Sequence, residues 1–205
     1  RPDMRNTDIV AGRSINLAIS HRGLKALARV GLKEKVLEMV IPMPGRMIHD
    51  VDGNTNFQPY GKEGQQINSV SRGGLNALLM TEAEKAGVKI HFNQRCVDMN
   101  LDGGEATFRN DTTEEETTVS AKHIYGTDGA FSEVRHSLMM TERFDYSQTY
   151  LEHGYKELSI PSIADGGFRM DKNALHIWPR GGYMLIALPN LDGSFTVTLF
   201  LSFEG

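Results

Sequence analysis

One stretch near the middle of the chain constrains the fold more than any other. Residues 124–135 read IYGTDGAFSEVR, an apolar run that leads into an Asp128-Gly129 turn, with Ser132 and Arg135 following at helical spacing. A strand-turn-helix unit of this kind brings backbone N–H groups and a carboxylate close to a bound nucleotide. A glycine-rich turn alone is weak evidence, whereas the whole pattern predicts a nucleotide-binding α/β unit.

The composition is typical of a soluble globular protein. The 205 residues, 40% of them hydrophobic and 23% charged, suffice for one domain or for two lobes that share a sheet. The net charge of −4 argues against a nucleic-acid partner, which usually requires a basic patch. No apolar run reaches the roughly 20 residues that span a bilayer, so we expect no membrane segment in this chain. The single cysteine, Cys96, cannot form an internal disulfide, which is typical of a reducing compartment.

The periodicity of apolar residues predicts two helices and a β-meander in the first part of the chain. Ser20 is placed to cap the first helix and Ser71 precedes the second, while Gly31 and Gly87 follow their last turns. The meander consists of strand-like runs at 88–92, 97–101 and 118–126, the first two with apolar residues at every second position. This part of the chain therefore predicts a β-meander inserted into an α/β unit.

The last part of the chain differs from the first in that its sequence predicts strands and turns and no clear helix. Turn sequences alternate with strand-like runs, with turns at 179–182 and 190–194 between strands at 175–178, 183–188 and 195–203. This pattern predicts an antiparallel sheet. We therefore place a domain boundary near Arg143, between a first domain at 1–143 and a second at 144–205, and predict an α/β (α+β) fold.

Several segments together resemble the kynurenine-hydroxylating members of the FAD-dependent aromatic hydroxylases. Residues 124–135 match the second fingerprint of that superfamily, DGxxSxxR, and by themselves indicate only the superfamily. The other matching segments are 12–18, 69–72, 143–148, 175–180 and 188–190. The resemblance implies that 1–143 is a partial, Rossmann-like FAD-binding domain and that 144–205 is part of a substrate-binding domain. It also implies FAD as the cofactor and NADPH as the co-substrate.

Parts of the family pattern are missing from the chain. Family members begin with a GxGxxG cradle for the FAD pyrophosphate and an acidic ribose-binding residue, and the sequence contains neither. We interpret the chain, from Arg1 to Gly205, as an internal piece of a longer enzyme. The resemblance implies a cytoplasmic protein if the parent is bacterial and attachment to the mitochondrial outer membrane if it is eukaryotic.

The resemblance assigns four residues to FAD. Arg72 begins a predicted helix, where a cation beside exposed N–H groups suits a phosphate. From the sequence alone, a surface arginine and an ordinary turn aspartate at Asp128 are the simpler interpretations, and the resemblance favours the FAD site for both. Ala18 and Cys96 match positions that touch FAD, with plain core packing as the alternative.

Arg46 and Tyr60 form the substrate hypothesis. Two predicted strands, 47–51 and 56–60, form a hairpin that would bring the guanidinium and the phenol together. A guanidinium binds a carboxylate bidentately, and a phenol can donate a further hydrogen bond. From the sequence alone, an exposed arginine and a half-buried tyrosine are the simpler interpretation. The resemblance favours a clamp, within about 45–69, for the carboxylate of a small aromatic amino acid.

The last sheet is predicted to form the floor of the aromatic pocket. Apolar and small side chains recur at every second position of its strands and so share one face. The residues assigned to this floor are Leu175, Met184, Ile186, Leu188, Thr198 and Phe200. A generic hydrophobic core is the alternative interpretation, and the two do not exclude each other.

By the same resemblance, the parent protein is expected to hydroxylate L-kynurenine to 3-hydroxykynurenine, a step of tryptophan degradation. No side chain is assigned as a catalytic acid or base, because the flavin supplies the reactive group. The seven histidines show no spacing that is typical of a metal site. Two alternatives stay open: a related flavin hydroxylase that acts on another aromatic acid, and a non-catalytic fragment.

Overall fold

Strand pairing determines how the chain is organised. The computed structural model describes residues 2–6 and 16–204, whose strands form three sheets. Contacts group these residues into two compact units. We call residues 2–6 and 86–150 the meander unit, and residues 16–85 and 151–204 the sheet unit.

The sheet unit contains a six-stranded sheet. Its strands, in spatial order, are β4 (Thr55–Pro59), β3 (Gly45–His49), β10 (Ala174–Arg180), β11 (Tyr183–Pro189), β12 (Phe195–Ser202) and β9 (His153–Ile160). The predicted hairpins β3–β4, β10–β11 and β11–β12 are confirmed, each with antiparallel register. The predicted α/β (α+β) class is also confirmed.

One pairing in this sheet was not predicted. The antiparallel sheet predicted for the last part of the chain is confirmed for β10, β11 and β12, and β3 joins it in parallel, with Gly45 opposite Ala174 and Ile48 opposite Ile177. These strands lie far apart in the sequence, so no local turn could indicate their pairing. The compact units consequently do not follow the division near Arg143, because the β3–β4 hairpin shares a sheet with the last strands of the chain.

A second, three-stranded sheet of the sheet unit carries helices on one side. Its strands, in spatial order, are β1 (Asn16–Ile19), β5 (Ile67–Ser71) and β2 (Ile41–Met43), and its helices are α1 (His21–Arg29), α2 (Lys33–Leu37) and α3 (Arg72–Lys85). Ile19, Val36 and Val70 are the buried centre of the helix-covered side. Residues 12–15 of the matching segment 12–18 lie outside the described residues.

The helix ends of this unit follow the predicted stop and start residues. Ser20 is the N-cap of α1, although its backbone carbonyl, not its hydroxyl, accepts the N–H of Leu24 at 3.1 Å. Gly31 and Gly87 follow α1 and α3 in left-handed conformations. The Ser71 hydroxyl accepts the N–H of Gly74 at 3.2 Å and so caps the first turn of α3.

The large sheet has a covered back face. This face carries His176, Ala187, Phe195 and Val197, all of which are buried. Phe168 packs edge-on against Phe195, with ring centroids 5.8 Å apart. The segment between β9 and β10 therefore closes the back face and leaves the opposite face for other contacts.

The meander unit is a three-stranded antiparallel sheet with one helix. Its elements are a short 3-10 helix (Met4–Asn6), β6 (Gln94–Asn100), β7 (Glu105–Asn110), β8 (Glu116–Ser120) and α4 (Glu133–Met139). The predicted strand at 88–92 is wrong, because that segment is irregular and β6 begins only at Gln94. The predicted strand at 118–126 ends at Ser120, and the chain reaches the Asp128 turn in irregular conformation. Alternating apolar residues do not make a strand without a hydrogen-bonding neighbour.

Two turn glycines allow a matched test of this fold. Gly193, in the β11–β12 turn, has φ +85°, and an added Cβ would lie 2.3 Å from the carbonyl oxygen of Gly166. Gly181, in the β10–β11 turn, has φ +65° and open space around the Cβ position. Left-handed backbone at a non-glycine residue costs about 1–3 kcal/mol. We expect Gly193→Ala to lower the free energy of unfolding clearly more than Gly181→Ala, as measured by urea denaturation; equal losses would contradict the predicted contact with Gly166.

Candidate functional site

The strand register places the predicted pocket residues on one face of the large sheet. Across β11 and β12, Met184 lies opposite Phe200 and Ile186 lies opposite Thr198. Ile186 also lies opposite Ile177, which shares its face with Leu175. The predicted floor residues therefore form one surface, which we call the front face; it carries Leu175, Met184, Ile186, Leu188, Thr198 and Phe200. Their use as a substrate floor stays a prediction.

The front face changes from covered to open along the sheet. Leu188 and Thr198 are buried, with 6% and 4% of their surfaces exposed. Leu175, Ile186 and Phe200 are half-buried, and Met184 is 37% exposed. An apolar surface that is partly open can accept a flat aromatic ring.

Arg46 belongs to the same face. It lies opposite Leu175 across the parallel seam and opposite Gln58 across the hairpin. Tyr60, just beyond β4, donates its backbone N–H to the carbonyl of Pro44 at 3.0 Å and so prolongs the hairpin. The guanidinium carbon of Arg46 lies over the Tyr60 ring, 5.5 Å from its centroid. The structure thus brings the two predicted clamp residues together.

The electrostatics of this pair suit an anionic ligand. Burial raises the pKa of Tyr60, while the positive charge of Arg46 opposes that shift. The phenol is therefore protonated at neutral pH and available as a donor. Arg46 is exposed, and within residues 2–6 and 16–204 no acidic side chain forms an ion pair with it. A guanidinium beside a phenol and an apolar surface can hold the carboxylate of an aromatic acid.

Two predicted cofactor residues, Ala18 and Arg72, belong to the three-stranded sheet of the sheet unit and to the helix that follows its strand β5. Asn16 of β1 pairs with Ser71 of β5, and Arg72 follows Ser71 directly at the start of α3. Ala18 lies two positions beyond Asn16 on the same face, opposite Ser69, and is exposed. An exposed arginine at a helix N-terminus and a small exposed side chain fit the phosphate and the flat body of a dinucleotide.

A buried polar network joins this sheet to the large one. The Asn16 amide donates to the Ser69 hydroxyl and to the Pro189 carbonyl, both at 3.2 Å, and to the side-chain oxygen of Asn190. Ser69 also donates to the Pro189 carbonyl, at 2.9 Å. Buried polar groups that are fully paired specify one arrangement of the elements they connect. The network therefore ties β1 and β5 to the β11–β12 corner.

Asp128, in the meander unit, caps α4. Its carboxylate accepts the Ser132 hydroxyl at 2.6 Å and the backbone N–H groups of Glu133 and Val134 at 2.8 and 3.3 Å. Ser132 in turn accepts the N–H of Arg135 at 3.0 Å. The bond from Ser132, with help from the backbone N–H groups, lowers the pKa of Asp128. The carboxylate is therefore ionised and engaged by the helix start.

Arg135 completes the turn. Its guanidinium donates to the carbonyl of Gly129 at 3.3 Å and to that of Ala130. It also lies 5.5 Å from the centroid of the Tyr146 ring. In the predicted DGxxSxxR element, the side chains of Asp128, Ser132 and Arg135 thus bond to each other or to the backbone of the same turn.

Cys96 belongs to the same unit as Asp128. Its thiol, in β6, is half-buried and lies 3.7 Å from the carbonyl of Asp98, beside a register shift in the β6–β7 pair. Burial raises the pKa of Cys96, and the carboxylates of Asp128 and Glu133 add to that shift. The thiol is therefore un-ionised and behaves as a small packing group. Its contact with FAD stays a prediction.

One cluster on the back face was not predicted from the sequence. His49 and His176 approach each other, with Nε2 of His49 2.8 Å from Nδ1 of His176. His49 stacks on Trp178 with ring centroids 4.2 Å apart. Arg180 donates to the carbonyls of His49 and Asp50, both at 2.9 Å. The alternation of His176, Trp178 and Arg180 in β10 was the available signal, but their partner strand could not be identified from the sequence.

Comparison with known proteins identifies the family. An FAD binding domain family matches residues 3–188, which is most of the chain. The chain belongs to the FAD binding domain family. The predicted family resemblance is confirmed, because relatives about 50% identical to this chain are all named "Kynurenine 3-monooxygenase".

Two of these relatives illustrate the coverage. The chain is 52% identical over 207 residues to "Kynurenine 3-monooxygenase" of Myxococcus xanthus, which covers 100% of the chain and 45% of that protein. It is 49% identical over 205 residues to the protein of the same name from Anopheles gambiae, which covers 99% of the chain and 42% of that protein. The chain thus spans less than half the length of these relatives.

Solved structures confirm the fold. The 2-methyl-3-hydroxypyridine-5-carboxylic acid oxygenase superposes with a TM-score of 0.73 at 20% identity, over 96% of this chain and 50% of that chain. A tetracycline destructase superposes with a TM-score of 0.63 at 14% identity, over 97% of this chain and 48% of that chain. At these identities the likeness concerns the fold alone. Among the residues that the structure describes, no helix is both long and apolar enough to cross a bilayer.

The cap at Asp128 can be tested by mutation and pH. Replacing a capping side chain by alanine costs about 0.5–2 kcal/mol, so we expect Asp128→Ala to lower the free energy of unfolding by that amount and Asp128→Asn by less. Because the folded-state pKa is lowered, the ionised group stabilises the protein fully above its ordinary pKa of 3.8, and this stabilisation is lost as the pH falls below that value. Urea denaturation at several pH values measures both effects.

Glu133→Gln is the matched control for this experiment. It removes one negative charge from the first turn of α4 but leaves the three bonds accepted by Asp128 in place. A loss of stability in Glu133→Gln as large as in Asp128→Ala would show that charge at the helix terminus, not capping, is responsible.

Proposed function

We propose that this chain is part of an FAD-dependent, NADPH-using monooxygenase that hydroxylates L-kynurenine to 3-hydroxykynurenine. The observation that carries the proposal is the Arg46 guanidinium over the Tyr60 ring, at the end of the apolar front face. The names of the relatives, at about 50% identity over the full chain, support the same reaction. In this proposal residues 144–205 and the hairpin within about 45–69 serve the substrate, and the remainder of 1–143 serves the cofactor.

The geometry of the front face supports the proposed substrate contacts. Arg46 binds the carboxylate of the amino acid, and the protonated phenol of Tyr60 donates a further hydrogen bond to it. The aromatic ring lies on the half-buried side chains of Leu175, Ile186 and Phe200. Apolar contact excludes water from the ring while the charge at one end determines its direction.

Four residues are assigned to the cofactor by the family resemblance. FAD, once reduced by NADPH, supplies the oxygen-transfer chemistry, so no side chain of this chain is required as an acid or base. Arg72 at the start of α3 is assigned to a phosphate of FAD, and the exposed Ala18 to packing against it. Asp128 organises its helix start for the nucleotide, since its own oxygens accept bonds within the turn. Cys96 is assigned to packing near the same cofactor.

The substrate clamp predicts a change in KM. A charge-assisted hydrogen bond contributes about 1.5–3 kcal/mol, so Arg46→Ala in the full-length protein should raise the KM for L-kynurenine about 10- to 150-fold. The kcat should change less, because the carboxylate is held equally before and during the reaction. Steady-state NADPH consumption and product formation measure both constants.

Arg29→Ala is the control for this variant, since Arg29 is an exposed arginine in the last turn of α1. We expect its KM to match that of the unmodified protein. If Arg46→Ala left the KM for L-kynurenine unchanged, a flavin hydroxylase that acts on another aromatic acid would be the better interpretation.

The cofactor contact predicts a change in flavin affinity. Loss of one charge-assisted bond to a phosphate should weaken FAD binding by Arg72→Ala about 10- to 150-fold. The retention of yellow flavin on gel filtration, and titration of the apoprotein by flavin fluorescence, measure this. Arg29→Ala again serves as the control. A full complement of flavin with unchanged affinity in Arg72→Ala would remove Arg72 from the cofactor site.

A further inference from the structure

The hairpin that carries Arg46 joins the rest of the large sheet through a single seam. In the order β4-β3-β10-β11-β12-β9, β4 is an edge strand and β3 bonds to β10. The register of this seam sets Arg46 beside Leu175. The distance of the guanidinium from the apolar front face therefore depends on how β3 is held against β10.

Side chains on the back face reinforce this seam. The His49–His176 hydrogen bond, 2.8 Å long, crosses from β3 to β10. Arg180, at the end of β10, donates to the carbonyls of His49 and Asp50 at 2.9 Å. The C-terminal end of the strand that bears Arg46 is thus fastened by three side-chain bonds in addition to the backbone ladder.

The partners of His176 determine where the protons lie. Nε2 of His176 is 2.8 Å from the carbonyl oxygen of Asp171, which can only accept, so this nitrogen carries the hydrogen. In the neutral ring Nδ1 is then an acceptor, and Nε2 of His49 must donate to it. Protonation of both rings would place two N–H groups against each other. Protonation of His49 alone would place a cation next to Arg180.

The surroundings oppose a proton on the pair. His176 is 2% exposed, and Trp178, Phe195 and Ala187 pack around it from β10, β12 and β11. The charged groups that face the pair are Arg180 from β10 and Asp171 from the segment before β10. The Asp50 carboxylate, which follows β3, is engaged by Asn54 in the hairpin turn.

The pKa values agree with this geometry. Burial lowers the pKa of His176, although Asp171 opposes the shift. Burial also lowers the pKa of His49, with further lowering from the charges of His176 and Arg180. Both values lie below the ordinary 6.5, so the pair is neutral at neutral pH and takes up a proton only as the pH falls below that value.

We infer that the His49–His176 pair positions Arg46, and that uptake of a proton by the pair loosens the β3–β10 seam and weakens substrate binding. The inference rests on the proposed function, because it takes Arg46 as the residue that binds the substrate carboxylate. His49 and His176 are positioning residues, since both lie on the back face and act through the strand. Substrate affinity should therefore depend on pH on the acid side of neutrality.

The test measures KM for L-kynurenine as a function of pH in the full-length protein. As the pH is lowered stepwise from about 7.5 to the lowest value at which the protein stays folded, well below the usual histidine pKa of about 6.5, the KM should rise about fivefold or more, the lower end of a typical coupling. His49→Gln keeps a donor for Nδ1 of His176 but cannot become a cation beside Arg180. Its KM should change much less over the same interval.

Two further variants make the result specific. His153→Gln replaces an exposed histidine on β9, the opposite edge strand of the same sheet, and should keep the acid rise of the unmodified protein. Arg46→Ala should lose the acid rise, because the contact through which the pair acts is gone. Because Arg46 is exposed, we expect Arg46→Ala to fold, so it tests the positioning role of the pair even if His49→Gln does not fold.

The outcomes separate this inference from the proposed function. If the KM of Arg46→Ala at about pH 7.5 equals that of the unmodified protein, the proposed clamp itself is wrong. If Arg46→Ala raises the KM as expected but keeps the full acid rise, or if a folded His49→Gln keeps it, the positioning role of the pair is wrong. A rise confined to the unmodified protein and His153→Gln would establish it.

Discussion

The parallel pairing of β3 with β10 is the interaction on which the candidate site depends. It sets Arg46 beside Leu175 and so adds a cation to the apolar part of the front face. The short turn of the β3–β4 hairpin determines only the pairing of these two strands with each other. Only the seam gives that hairpin a position relative to Ile186 and Phe200. Backbone bonds, the His49–His176 bond and Arg180 all contribute to holding it.

In the meander unit, the hydrogen bonds around Asp128 join residues that are close in the sequence. Asp128, Ser132 and Arg135 lie within one turn and bind each other or the backbone between them. A carboxylate at a helix N-terminus is attracted by the helix dipole and accepts hydrogen bonds from N–H groups that have no partner within the helix. The order of this turn therefore depends on bonds within a short segment of the chain.

Local chemistry explains which elements could be predicted. The turns at Gly181 and Gly193, the stop at Gly31 and the cap at Ser71 each depend on residues a few positions away. The strands expected at 88–92 and in the last residues of 118–126 did not form, since alternation of apolar residues describes a face and does not supply a bonding neighbour. The residues of the front face were predictable for a related reason: the period of two places them together once the strands pair.

The sequence by itself determined the hairpins, the capped Asp128 turn and the apolar alternation, and through its resemblance to a known family it predicted the cofactor and the substrate class that we propose. The tertiary structure alone decided that β3 runs parallel to β10, that Arg46 therefore joins the front face, and that His49 meets His176 behind it. Turn and capping preferences act over a few residues, whereas strands separated by more than a hundred positions pair only when the whole chain selects one arrangement of its buried surfaces.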